Sequence, residues 1–91
     1  MVNEGIDLGG NHPVKDIEIT TDFIRLDQVL KLSGLAPTGG QAKLLIQSGR
    51  VKVDGVVETH RGTKIRDQNV IAVNDEHVFR VVKRLDSQRR G

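Results

Sequence analysis

The pair Asp54-Gly55 constrains this chain more than any other two residues. Asp-Gly flanked by alternating apolar positions signals a two-residue hairpin, because the turn whose twist matches paired strands needs positive φ at both central positions. Upstream, residues 50–53 alternate, with Val51 and Val53 on one side and Arg50 and Lys52 on the other. Val56 and Val57 follow the turn and pair back. The hairpin thus has one side for a core and one that is basic.

A helix precedes it. Thr38 and Gln41 stand at the spacing of a capping box. Ala42, Leu45 and Ile46 then face a core at helical spacing, while Lys43 and Gln47, four apart, share another face. Gly49 ends the helix as its C′ residue. Gly39 and Gly40 occupy the first turn, where they either leave N–H groups open to a phosphate or finish a tight turn after Pro37. The lysine and hydroxyl of a nucleotide-binding P-loop are absent.

On either side the same reasoning predicts further elements. Residues 17–19 suit a short edge strand. Thr21 or Asp22 caps a first helix whose stripe is Phe23, Leu26, Val29 and Leu30. Asp27 and Lys31 form an i,i+4 pair on its solvated face, and Gly34 closes it. Residues 58–66 read as a basic loop or irregular strand. Strands follow over residues 70–73 and 78–82, separated by turns at residues 67–69 and 74–76, with Phe79 and Val81 on one face. Residues 1–16 are expected to be a flexible arm, residues 17–83 the domain, and residues 84–91 a basic tail.

A chain of 91 residues is one domain, able to bury roughly 60–65% of its unfolded surface, and too small to enclose a large active site as well. It has no cysteine, which excludes disulfides, zinc–thiolate sites and thiol redox chemistry. No apolar run approaches the roughly 20 residues of a membrane helix. The expected location is the cytoplasm, with no membrane partner. His12, His60 and His77 lack metal-ligand spacing, and Ser33, Ser48 and Ser87 lack a nucleophile-elbow context. Neither catalysis nor a cofactor nor a metal is expected.

Charge is uneven along the chain. Residues 1–24 carry net −4, residues 25–66 net +5 and residues 67–91 net +1, which together give the formal +2. A positive field over the helices and hairpin favours a polyanionic partner. Phe23 and Phe79 are the only aromatic residues and both are assigned to the core, so recognition by phosphates, 2′-hydroxyls and shape is expected, which suits folded RNA.

Taken in order, R-L-D-Q-V-L (residues 25–30), A-K-L-L-I-Q-S-G-R-V-K-V-D-G (residues 42–55), R-G-T-K-I (residues 61–65) and a turn into V-I-A-V resemble the RNA-binding domain of the ribosomal protein S-four type, the alpha-L motif. The resemblance covers about residues 17–82, and T-G-G-Q-A-K is similar to the small stand-alone bacterial members. Many members have Ser-Arg where this chain has Thr38-Gly39. The expected fold is α+β, two short helices packed on a small, twisted, mostly antiparallel sheet. The resemblance implies that Arg25, Lys43, Arg50, Lys52, Arg61 and Lys64 bind RNA, with Gln41 and Gln47 as hydrogen-bonding neighbours, and the free N–H groups of Gly39 and Gly40 add the expected phosphate approach. The implied partner is ribosomal or transfer RNA, on a ribosome or ribosomal subunit, bound by a monomer. The alternative function is a protein-interaction module docking an acidic partner.

Overall fold

The computed structural model describes residues 14–84. In chain order the elements are β1 (Val14–Ile19), β2 (Ile24–Arg25), α1 (Leu26–Ser33), α2 (Gly39–Gln47), β3 (Val51–Val53), β4 (Val56–Val57), β5 (Lys64–Ile65), β6 (Val70–Val73) and β7 (His77–Lys83). Five strands form one sheet in the order β1-β7-β6-β3-β4, and β2 pairs with β5 as a separate antiparallel ribbon. All pairs in the sheet are antiparallel except β1 with β7, which run parallel from Val14↔Val78 to Ile19↔Lys83. The α+β expectation holds. Strand β1 begins at Val14, within the stretch expected to be an arm, while the remainder of that arm and residues 85–91 of the tail lie outside the described residues.

Alternation decides which face the helices cover. Val51, Ile71, Val73, Phe79, Val81, Ile17 and Ile19 are buried on one side of the sheet, where they meet Leu26, Val29 and Leu30 of α1 and Ala42 and Ile46 of α2. Each fully buried aliphatic side chain contributes about 1.5–3 kcal/mol. Leu45 and Val53 pack half-buried against this core. On the other side Lys52, Ala72 and Val78 lie abreast through the register, with no helix over them.

The chain ends of the elements follow their residues. Asp54 and Gly55 adopt φ of +50° and +85°, the pair of values the hairpin turn requires. The Asp54 carboxylate also accepts from Asn69 Nδ2 at 2.7 Å and from the Val70 N–H at 2.9 Å, so the same residue ties β3 to the turn before β6. Gly34 and Gly49 take φ of +86° and +83° just after α1 and α2. Thr38 Oγ1 accepts from the Gln41 N–H at 3.1 Å, which forms the threonine half of the capping box.

Two expectations are corrected. Helix α1 begins at Leu26, with Arg25 at its N-cap and no side-chain cap, rather than after Thr21 or Asp22. Its first N–H groups need no such cap because the loop supplies acceptors: Leu26 N–H donates to Thr63 O at 2.9 Å and Asp27 N–H to Arg61 O at 3.0 Å. Residues 24 and 25 are drawn instead into the ribbon with β5, and Thr21 donates its hydroxyl to Phe23 O at 2.7 Å. Phe23 is consequently outside the core and 38% exposed.

Candidate nucleic-acid interface

A further correction concerns Asp27, which is buried and pairs with Arg25 and Arg61 rather than with Lys31. Its carboxylate binds two arginines at once. Arg25 donates from Nε to Oδ1 and from Nη2 to Oδ2, both at 3.2 Å, a two-pronged contact. Arg61 donates from Nε to Oδ2 at 3.0 Å. Only 6% of the Asp27 side chain is exposed, against 51% for Arg25 and 40% for Arg61. Burial by itself raises the Asp27 pKa, but the hydrogen bonds and charges of Arg25 and Arg61 outweigh it and hold the carboxyl below its ordinary value. One carboxylate therefore neutralises one arginine's worth of charge and leaves the other in excess, with guanidinium donors still facing solvent.

The Arg61 guanidinium sits where α2 begins, and that of Arg25 beside Gly62 in the loop. A Cβ on Gly39 would lie 3.6 Å from Arg61 Nη2, and one on Gly62 would lie 3.7 Å from Arg25 Nη2, both ordinary contact distances, so each guanidinium lies against the backbone of its glycine. The Gly39 and Gly40 N–H groups precede the capped Gln41 N–H and find no acceptor among the described residues. Gly39, Lys43 and Gln47 follow one another at i,i+4 along α2, so the basic surface continues from Arg61 down one flank of that helix.

It continues in the other direction through the ribbon. Lys64 is the register partner of Arg25, and its Nζ lies 4.8 Å from the centre of the Phe23 ring, with Arg66 at 5.7 Å. Arg25, Arg61, Lys64, Gly39, Gly40, Lys43 and Gln47 thus share one surface. Gln41 and Arg50 lie on the opposite flank of α2, along a groove with Leu35, Leu44, Leu45 and Ser48. Lys52 lies on the helix-free side of the sheet and pairs with Asp75 at 3.1 Å. Sequence reasoning missed Asp27, Phe23 and Arg66, because each is defined by partners distant in the chain. Among the described residues no cluster of His, Cys, Asp and Glu is arranged for a metal, and no helix is long and apolar enough to cross a membrane.

The model of the S4 domain family matches residues 17–82. This chain belongs to the S4 domain family. Its S4 domain is 50% identical over 56 residues to YbcJ of Escherichia coli (strain K12), spanning 62% of this chain and 67% of that protein. The solution structure of YbcJ, described as revealing an alfa-L motif involved in RNA-binding, superposes with a TM-score of 0.61 at 32% identity, covering 86% of this chain and 99% of that one. RlbA of Bacillus subtilis (strain 168), named a probable ribosome maturation protein, is 33% identical over 66 residues, spanning 72% of this chain and 93% of that protein. The resemblance seen in the sequence and the fold it implied are both upheld by these likenesses.

Proposed function

We propose that this S4 domain binds structured RNA and performs no chemistry on it. The observation that carries the proposal is the pair of guanidinium groups held by buried Asp27, with that of Arg61 beside Gly39 at the first turn of α2. An anion set there meets the Arg61 guanidinium and two helix-terminal N–H groups, with Arg25 held on the same carboxylate, a donor arrangement that suits phosphate. Lys43 on α2 and Lys64 and Arg66 on and beside β5 extend the cationic surface to either side. The likeness to YbcJ supports RNA as the polyanion, and the likeness to RlbA favours ribosomal over transfer RNA, met in the cytoplasm during ribosome assembly.

Neutralising about five phosphates gives log affinity a slope of about −3.5 to −4.5 against log salt. The deciding experiment is ultraviolet crosslinking in the source cell, with sequencing of the bound RNA and mapping of the crosslinked peptides. Crosslinks from residues 23–25, 39–47 and 61–66 to discrete ribosomal RNA sites are expected. A second reading, a module docking an acidic protein segment, draws on the groove of Leu35, Leu44 and Leu45 beside Arg50, where Leu44 is 68% exposed. Recovery in a nuclease-resistant protein complex with few RNA crosslinks would select it.

A further inference from the structure

A chain with two phenylalanines has little aromatic surface to spare. Phe79 is in the core, as its place in β7 demands, but Phe23 is 38% exposed. It is also firmly placed. The Phe23 carbonyl accepts from the Thr21 hydroxyl at 2.7 Å, and the neighbouring Asp22 is tied to Lys83 Nζ at 2.7 Å, which fixes the turn leading into β2 from both ends. Two cations attend the ring within the range of cation–π attraction, Lys64 Nζ at 4.8 Å and Arg66 at 5.7 Å.

The position of the ring matters as much as its exposure. Lys64 pairs with Arg25 across the ribbon and reaches Phe23 with its head group, so the ring and the Asp27-held guanidinium groups flank the same lysine. A phosphate chain crossing from the start of α2 along the ribbon would therefore arrive at an aromatic ring with two cations lying over it, whose head groups can pass from the ring to the phosphate as a base takes their place. Such a combination suits a single unpaired nucleotide, whose base stacks on the ring while its phosphate meets the cations. A base locked in a duplex offers no free face to stack.

We propose that Phe23, flanked by Lys64 and Arg66, is a stacking platform for one unpaired base next to a paired stem. This rests on the RNA-binding reading and narrows its ligand to a stem carrying a bulged or terminal unpaired nucleotide. It also reverses the expectation that both phenylalanines are core and that bases are not read.

The test compares a blunt hairpin RNA with the same stem carrying one unpaired 2-aminopurine, titrated with the full chain and with Phe23→Ala, Phe23→Leu and Phe23→Trp. The full chain is expected to prefer the unpaired nucleotide by about 5- to 150-fold, the effect of one aromatic stack, and to quench the 2-aminopurine. Phe23→Ala erases both preference and quench, Phe23→Leu restores little, and Phe23→Trp restores both, with each variant's blunt-stem affinity and melting temperature measured as its own reference. Equal binding of the two RNAs by the full chain, or a preference that survives Phe23→Ala, overturns the platform while the phosphate-binding surface stands. Failure to bind the blunt stem at any salt overturns the RNA reading and this proposal with it.

Discussion

Asp27→Asn separates two views of the basic surface, because they predict opposite signs. The carboxylate accepts three hydrogen bonds from guanidinium groups. Asparagine keeps one oxygen and presents an amide donor where Arg25 Nη2 and Arg61 Nε now converge, so at least one arginine loses its partner. Hydrogen bonds to charged groups contribute about 1.5–3 kcal/mol each, but both arginines are half in water and a desolvated carboxylate is removed, so a net loss of about 1–3 kcal/mol is expected. For a domain of this size that lowers the melting temperature by about 4–8 °C per kcal/mol. Counting charge alone, the variant gains +1 and should bind RNA more tightly. Fixing two long side chains is worth about 0.5–1.5 kcal/mol each, and the added charge offsets part of it, leaving a loss near 1 kcal/mol or about fivefold in affinity. Fluorescence anisotropy with a stem RNA at 15 °C, with circular dichroism at the same temperature to verify the fold, reads the sign. Asp75→Asn is the control, since it removes an equal charge from the helix-free side of the sheet beside Lys52. A folded Asp27→Asn that binds RNA more tightly than the parent would refute the argument that Asp27 positions the arginines.

Three further outcomes are expected. Gly39→Ala should raise stability by about 0.4–1 kcal/mol in denaturant titrations, because its backbone is compatible with alanine and the new methyl meets Arg61 at ordinary contact distance, yet it should weaken RNA binding by crowding the helix start. Lys43→Glu should weaken binding by about 1 kcal/mol or more and flatten the salt slope, whereas Lys52→Glu, on the other side of the sheet, should change both far less. In acid, the stability gap between the parent and Asp27→Asn should be full above about pH 4, the unfolded carboxyl value, and close as pH falls through the lowered folded value. A gap that widened below pH 4 would contradict the direction assigned to Asp27.

What could be read from the sequence was local. The Asp54-Gly55 turn, the Thr38 cap and the glycines after each helix depend on φ preferences and on bonds a few residues long, and the structure has each where expected. Strand alternation likewise put Val51, Phe79 and Val81 inside. The failures share a cause. Asp27 and Lys31 have the spacing of a surface pair, but Asp27 is captured by Arg25 together with Arg61, 34 positions away, and no periodicity encodes that. Phe23 fits a helical stripe with Leu26 and Leu30, but the loop carbonyls of Arg61 and Thr63 start the helix later and leave the ring outside. The sheet order, with β1 beside β7, was equally beyond a reading of neighbours. Lys43 and Gln47 lie on one flank of α2 as their spacing predicts, while Lys52, grouped with Arg50 by alternation and by the family resemblance, lies on the helix-free side of the sheet.

The pairing of β1 with β7 sets the order in which this protein can be completed. That ladder joins residues 14–19 to residues 78–83, so both helices and the 51–57 hairpin can form while β1 still lacks β7, its one partner strand among the described residues. At about 5–20 residues per second of synthesis, β1 waits on the order of 3 to 12 seconds with an open hydrogen-bonding edge. Contacts of such long range also slow folding, because the loop between them must close before they contribute. Lys83, at the end of β7, is the residue that holds Asp22 beside Phe23. The last strand to emerge therefore both seals the sheet and sets the ring in place, so a nascent chain interrupted before residue 83 would carry arginines that attract RNA but lack the finished surface.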